Sequence, residues 1–293
     1  MTASTSKTAP ATGADRILVF IPCYNCERQI GRVLAQFGTV PAPWFAEVLV
    51  VDNGSRDGTV AAATAALPSL PVPARVVKND ANYNLGGSHK AVFAYAERAG
   101  FTHVVVLHGD DQGSLADVLP VLESGAHRTN DACLGARFMS GARITGYSLV
   151  RRVGNRVFNA IFSVALRRRV SDLGSGLNLF ARSVFAGGAT VHYPDDLHFN
   201  PYLLVGMVDR GLRLHFFPIT WREEDQVSNV KMASQALQTL QAAREYVFAR
   251  GFLRSGEHRT TPRSGYTFQV VASHDPAAAA APAAGATAST RGR

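Results

Sequence analysis

Nowhere does this chain hold an apolar run approaching the roughly 20 residues that a membrane-spanning helix requires. The longest candidate, residues 157–166, is short and is broken by Asn159 and Ser163. The first fifteen residues lack the apolar stretch of a secretory signal. A cytoplasmic protein is therefore expected, either soluble or peripheral on the inner face of the membrane. Cysteine is scarce too. Three residues, Cys23, Cys26 and Cys133, suit a reducing compartment. Basic residues interleaved with aromatics are also missing, so nucleic acid is not an expected partner.

What is present describes a folded chain. Hydrophobic residues make up 46% and charged residues 18%, a balance that excludes a disordered polymer. Residues 1–15 are rich in Ala, Ser, Thr and Pro without apolar periodicity, which predicts a flexible tail. Residues 16–250 read as one domain, and 251–293 as an extension that is largely flexible from about 274. The net charge of +8 favours anionic partners such as phosphorylated substrates or acidic lipid head groups. Much of it lies in one central stretch, at Arg143, Arg151, Arg152, Arg156, Arg167, Arg168 and Arg169.

Short apolar runs at 17–21, 47–51, 75–77 and 103–107 predict strands, the first buried on both faces. Helical patterns separate them: one carrying Ile30, Val33, Leu34 and Phe37, one at 59–67, and one at 88–99 after a turn at 82–87. Alternating strands and helices imply an α/β fold, a single Rossmann-like domain with a central, mostly parallel sheet. Ligands bind such sheets beyond the carboxyl ends of the strands. Four polar clusters, at 24–25, 52–55, 84–87 and 109–112, stand at strand ends and should converge there. Further strands are expected at 132–135, 177–180 and 212–219, and helices at 150–170 and 232–248. The 150–170 helix carries a polar stripe at Arg152, Asn155, Arg156, Asn159, Ser163 and Arg167 and is otherwise apolar. It could lie in a membrane interface, or be a core helix whose stripe faces water.

Asp110, Asp111 and Gln112 offer hard oxygen ligands at the mouth of a strand, as Mg²⁺ or Mn²⁺ on a diphosphate requires. A capped turn is the plainer alternative. Asp52 could accept hydrogen bonds from a ribose or base, or form an ordinary Asx turn. Cys23-Tyr24-Asn25-Cys26 has redox spacing but leaves the other clusters without a role.

Together these motifs resemble family 2 glycosyltransferases, particularly the dolichol- or polyprenol-phosphate branch. The likeness covers about residues 16–231 and rests on seven segments in family order. They are Pro22-Cys-Tyr-Asn25, residues 50–59, Asn84-Leu-Gly-Gly87, Gly109-Asp-Asp-Gln112, Gly135-Ala-Arg137, residues 172–177 and residues 221–231. The resemblance implies a GT-A fold and inverting transfer from a UDP- or GDP-linked sugar, with Mg²⁺ or Mn²⁺ at Asp110 and Gln112. It places Pro22, Tyr24, Glu27, Asp52, Gly86, Asp110 and Asp111 around the donor. Arg137, Arg151, Ser175, Arg222, Ser228 and Lys231 would meet phosphate or acceptor, and Asp110, Arg137, Asp172 and Arg222 would carry catalysis. The implied acceptor is a polyprenyl or dolichyl phosphate at a membrane surface.

The chain departs from the family pattern at His108, where the first Asp of Asp-x-Asp is usual, and at Cys26, where Glu is common. A phosphate acceptor needs no general base, whereas an alcohol would need one, Asp172 or Asp225. Three other readings stand beside this one: a soluble or polysaccharide acceptor, a non-catalytic nucleotide-sugar-binding protein, and a sugar nucleotidyltransferase. The last normally shows a Gly-rich basic loop after the first strand, which Pro22-Cys-Tyr-Asn25 does not resemble.

Overall fold

The computed structural model describes residues 15–223 and 232–279. Its central strands are β1 (Ile17–Cys23), β2 (Glu47–Asp52), β3 (Ala74–Asn79), β4 (His103–Leu107), β5 (Ala132–Ala136), β7 (Leu177–Ala181), β8 (Leu214–Pro218) and β10 (Phe268–His274). They form one eight-stranded sheet in the order β10-β3-β2-β1-β4-β7-β5-β8. The four strands β3, β2, β1 and β4 are parallel, as are β5 and β8, while β7 and β10 run antiparallel to their neighbours. A separate parallel pair is made by β6 (Arg143–Thr145) and β9 (Thr220–Arg222).

The period-two geometry of a strand explains the two cores. Ile17, Val19 and Ile21 of β1 face one way, onto α1 (Glu27–Ala35) and α2 (Thr59–Ala66). Leu18 and Phe20 face the other way, with α3 (Asn84–Arg98) and α5 (Phe199–Asp209). Burial on both faces is why β1 and β4 read as unbroken apolar runs. Two more helices matter to the site: α4 (Leu149–Ala165) and α6 (Met232–Phe248).

Three expectations shift. First, α3 begins at Asn84 rather than 88, so Gly86 is helical instead of part of a turn open to ligand. Its N–H donates to the Asp195 carbonyl at 2.6 Å. A Cβ on Gly86 would stand 2.4 Å from the Pro194 oxygen, so the glycine is needed where helix and loop touch. Gly86→Ala is expected to destabilise the protein by about 1–3 kcal/mol, read as a lower thermal midpoint.

Second, α4 stops at Ala165 instead of reaching 170. Arg167 takes a left-handed φ of 50°, and the Ser163 hydroxyl accepts the Val170 N–H at 2.9 Å, turning the chain back. Third, α5 and β10 have no counterpart among the expected elements. α5 is buried on nearly every side, from Phe199 to Met207, and so carries no amphipathic signal.

Candidate active site

The polar clusters at the carboxyl ends of β1, β2 and β4 and at the start of α3 surround a cleft of about 370 Å³, as the strand-end rule requires. Pro22, Tyr24, Asn53, Asn84, Asp110 and Leu197 are among its walls. Tyr24 is 47% exposed and presents an open aromatic face. Asn25, Asn84 and Asp111 all have left-handed φ, between 55° and 59°, at the loops that frame the cleft. At Asn25 the conformation is held by side-chain bonds, since its Oδ1 accepts the Arg56 N–H at 2.9 Å. Asn53 anchors the opposite wall. Its Oδ1 accepts from Asn79 Nδ2 and from the Tyr83 N–H, and its own Nδ2 donates to Asn82 Oδ1.

Asp52 is almost wholly buried, and its carboxylate accepts the N–H groups of Gly54 and Ser55. The Asx-turn alternative thus describes its contacts, and Asn53 rather than Asp52 lines the cleft. Glu27 sits at the head of α1 and accepts the Gly58 N–H at 3.0 Å, joining the tops of α1 and α2 outside the cleft. Gly86 faces the loop at Pro194–Asp195 instead of the cleft. Cys23 and Cys26 are buried free thiols in the cleft wall. A side chain at Gly109 would place its Cβ 2.5 Å from Cys23 Sγ, which explains glycine at that position.

The acidic segment divides. Asp110 lies in the cleft, where burial raises its carboxyl to about 6. Its Oδ1 accepts the Gln112 N–H at 3.2 Å, and no described cation reaches it by hydrogen bond. His108 Nδ1 is 4.0 Å from Asp110 Oδ2, beyond hydrogen-bond range. Burial, helped by Arg137, pulls the His108 imidazole down to about 4, so it is neutral at pH 7. Asp111 turns away, accepting Arg32 Nε at 2.7 Å and Gln36 Nε2 at 3.3 Å.

Among the described residues no three His, Cys, Asp or Glu side chains could together enclose a metal. A divalent ion bridging a diphosphate takes most of its oxygens from phosphate and water, however. An uncompensated buried carboxylate in the cleft wall fits that partial shell, while Gln112 lines the neighbouring pocket.

A second pocket, of about 720 Å³, meets the first at Leu85, His108 and Leu197. Arg137, Gln112, Tyr147, Arg151, Phe158 and Trp221 line it. Arg137 is clamped by Asp172, through Nε to Oδ2 and Nη2 to Oδ1, each at 2.8 Å. Its guanidinium also lies over the rings of Phe138, Tyr147 and Trp221, within 6 Å. Asp172 further accepts the backbone N–H groups of Arg137 and Gly174, so its oxygens are engaged and it is not placed as a free base.

Arg151 Nη1 pairs with Glu223 Oε2 at 2.7 Å. Ser175 lines the pocket, but its hydroxyl donates to the Leu177 carbonyl. Arg222 lies outside both pockets, half-exposed, 3.7 Å from Asp111. Ser228, Lys231 and Asp225 fall outside the described residues. Sequence reading missed Asn53, Tyr147 and Leu197. Asn53 follows Asp52 in the 50–59 segment and could have been found, but nothing local marks Tyr147 or Leu197.

A cleft beyond the carboxyl ends of a mostly parallel sheet, joined to a second pocket that carries Arg137 and Arg151, is the arrangement expected of a GT-A glycosyltransferase. The chain belongs to glycosyl transferase family 2, whose sequence model matches residues 18–187. It is 29% identical to the polyprenol monophosphomannose synthase of Mycolicibacterium smegmatis over 185 residues, 60% of this chain and 66% of that protein. It is 27% identical to the glycosyltransferase AglJ of Haloferax volcanii over 207 residues, 71% of this chain and 63% of the relative. The matched stretches thus span a little under two thirds of these relatives.

In fold it is similar to glucosyl-3-phosphoglycerate synthase of Mycobacterium tuberculosis. The complex of that enzyme with Mn²⁺, UDP and glucosyl-3-phosphoglycerate matches with a TM-score of 0.58 at 16% identity, covering 90% of this chain and 91% of that one. The complex with Mg²⁺ and UDP matches at 0.59 and 15%, covering 90% and 92%.

Proposed function

We propose that this transferase moves a sugar, with inversion, from a UDP- or GDP-linked donor to the phosphate of a polyprenyl phosphate at a membrane surface. One observation carries the reading: the donor-sized cleft opens at His108 and Leu197 into a larger pocket that combines Arg137 and Arg151 with apolar walls such as Val150, Phe158 and Leu173. That mixture suits a phosphate carried on a hydrocarbon chain. The names of the polyprenol-phosphate relative and of the phosphoglycerate-handling fold neighbour are in keeping with it.

A phosphate monoester is already an anion and attacks without a general base, leaving positioning and electrostatics to do the work. The pocket's composition agrees. Its one lining carboxylate among the described residues is Glu223, and that is paired with Arg151. Arg137 commits Nε and Nη2 to Asp172 and Gly174, which leaves Nη1 to meet an acceptor oxygen. Tyr24 and Pro22 would flank the base. Asp52 would act by holding the turn that presents Asn53. Asp110 and Gln112 would hold Mg²⁺ or Mn²⁺, which when bound offsets charge on the departing diphosphate.

The test is a set of incubations with UDP- and GDP-sugars, Mn²⁺ or Mg²⁺, and either polyprenyl phosphate or phosphoglycerate as acceptor, followed by separation of lipid-linked from water-soluble sugar product. Transfer to phosphoglycerate alone would move the acceptor to a soluble phosphorylated acid. Nucleotide binding without any product would favour a non-catalytic scaffold, and release of pyrophosphate would indicate donor synthesis.

A further inference from the structure

Helix α4 leaves a large apolar surface uncovered. Part of its polar stripe points into the protein: Asn155 Nδ2 donates to the Tyr147 hydroxyl, and buried Asn159 donates to the Ser171 carbonyl, while Arg156 stays exposed. Phe158 and Phe162 pack inward, but a second apolar stripe points outward. Leu149, Val150, Val153, Val157, Ile161 and Val164 are between 40% and 79% exposed. Spaced by three and four, they make one continuous face of the helix. The alternative of a core helix with its Asn/Arg stripe in water holds only in part: Phe162 enters the core and Arg156 is exposed, but Asn159 is buried and the valine ridge is not.

The helix contains no acidic residue; exposed Arg156 adjoins the face, and exposed Arg167 and Arg169 follow its C-terminal end. Arg156, Arg167 and Arg169 make no ion pair among the described residues. Arg156 and Arg169 also line a cleft of about 240 Å³ with Asn159 and Ser163.

We infer that this face of α4 docks on an anionic lipid bilayer, with the valine ridge in the interface and Arg156 and Arg169 on lipid phosphates. Charge selects this occupant. A second copy meeting the same face would bring two sets of unpaired arginines together, whereas an anionic surface neutralises them. Apolar side chains with adjacent arginines supply the two signals that stable peripheral binding requires. Val150 belongs both to the ridge and to the large pocket, so docking would set the pocket mouth against the membrane. That last orientation rests on the lipid-phosphate reading; the docking itself does not.

The experiment is sedimentation of the full chain with phosphatidylcholine vesicles, with and without phosphatidylglycerol. Wild type is expected to bind the anionic vesicles and to be released by salt. V153E/V157E and R156Q/R169Q should each weaken binding about tenfold or more. Both pairs lie outside the two pockets, so transfer to a short, water-soluble isoprenyl phosphate should be unchanged in them. Absence of wild-type binding to anionic vesicles would overturn the inference, as would equal binding by the variants. A ridge variant that converts a dimer to a monomer without altering vesicle binding would overturn it in favour of self-association. Vesicle binding that the variants lose, alongside a wild type inert toward the soluble acceptor, would sustain the docking and sink the acceptor assignment instead.

Discussion

Asp172→Asn is expected to cost the protein about 3–5 kcal/mol of stability, the usual consequence of removing one partner from a buried ion pair. Both side chains are buried, with 11% of Arg137 and 2% of Asp172 exposed. Burial opposes the charge of Arg137, but Asp172 more than offsets this and holds the guanidinium above even its ordinary high range. Without the carboxylate, that cation would sit among Phe138, Tyr147 and Trp221 with no anion in contact. The loop from 172 to 176 would also lose a strong acceptor for the Gly174 N–H. Urea denaturation of the variant measures the effect. The double variant R137M/D172N should recover part of the loss, because it leaves no orphaned charge. A loss below about 1 kcal/mol would mean that the pair lies in a wetter environment than its geometry indicates.

Asp110→Asn is expected to act in opposite directions on activity and stability. Transfer should fall on the order of 10²–10³-fold, as when a preorganised electrostatic group is removed. The metal-free fold should become more stable at neutral pH. Burial raises the Asp110 carboxyl from 3.8 to about 6. A raised folded value means that stability is fully present below the unfolded value and is lost as pH climbs through the folded one. The penalty is thus absent below pH ~4 and complete above pH ~6, where ionising the buried carboxyl costs about 3 kcal/mol at most. Asparagine has no charge to bury. The thermal midpoint of the variant should therefore pull ahead of wild type across that window, and Mn²⁺ should stabilise wild type alone. Equal midpoints at pH 4 and pH 8 would show that Asp110 is not strained by its burial.

Legibility differed from element to element. β1, β2 and β4 were readable because a strand buried on both faces is built around a continuous apolar run. The meeting of the 24–25, 52–55, 84–87 and 109–112 clusters followed from the alternating pattern alone. α5 was not readable, because a helix buried on nearly every side carries no periodic contrast. The turn at 166–170 was hidden because Ser163 ends the helix with its hydroxyl, and a serine in a helical stretch announces nothing.

Within the site, the same limit separates neighbours. Asp110 and Asp111 are equal as sequence, and it is Arg32 of α1 with Gln36 just after it that draw Asp111 out of the cleft. Asp172 looks available as a base in the sequence, yet Arg137, 35 residues earlier, occupies it. Family, sheet and strand-end cleft are set by local pattern and motif order, which are properties of the chain read in one dimension. Whether a carboxylate is free, and which stripe of α4 meets water, depends on partners distant in sequence. The acidic segment shows the division: its residue types suggest metal and diphosphate chemistry, while burial and the placement of Arg32 and Gln36 leave Asp110, not Asp111, in the cleft.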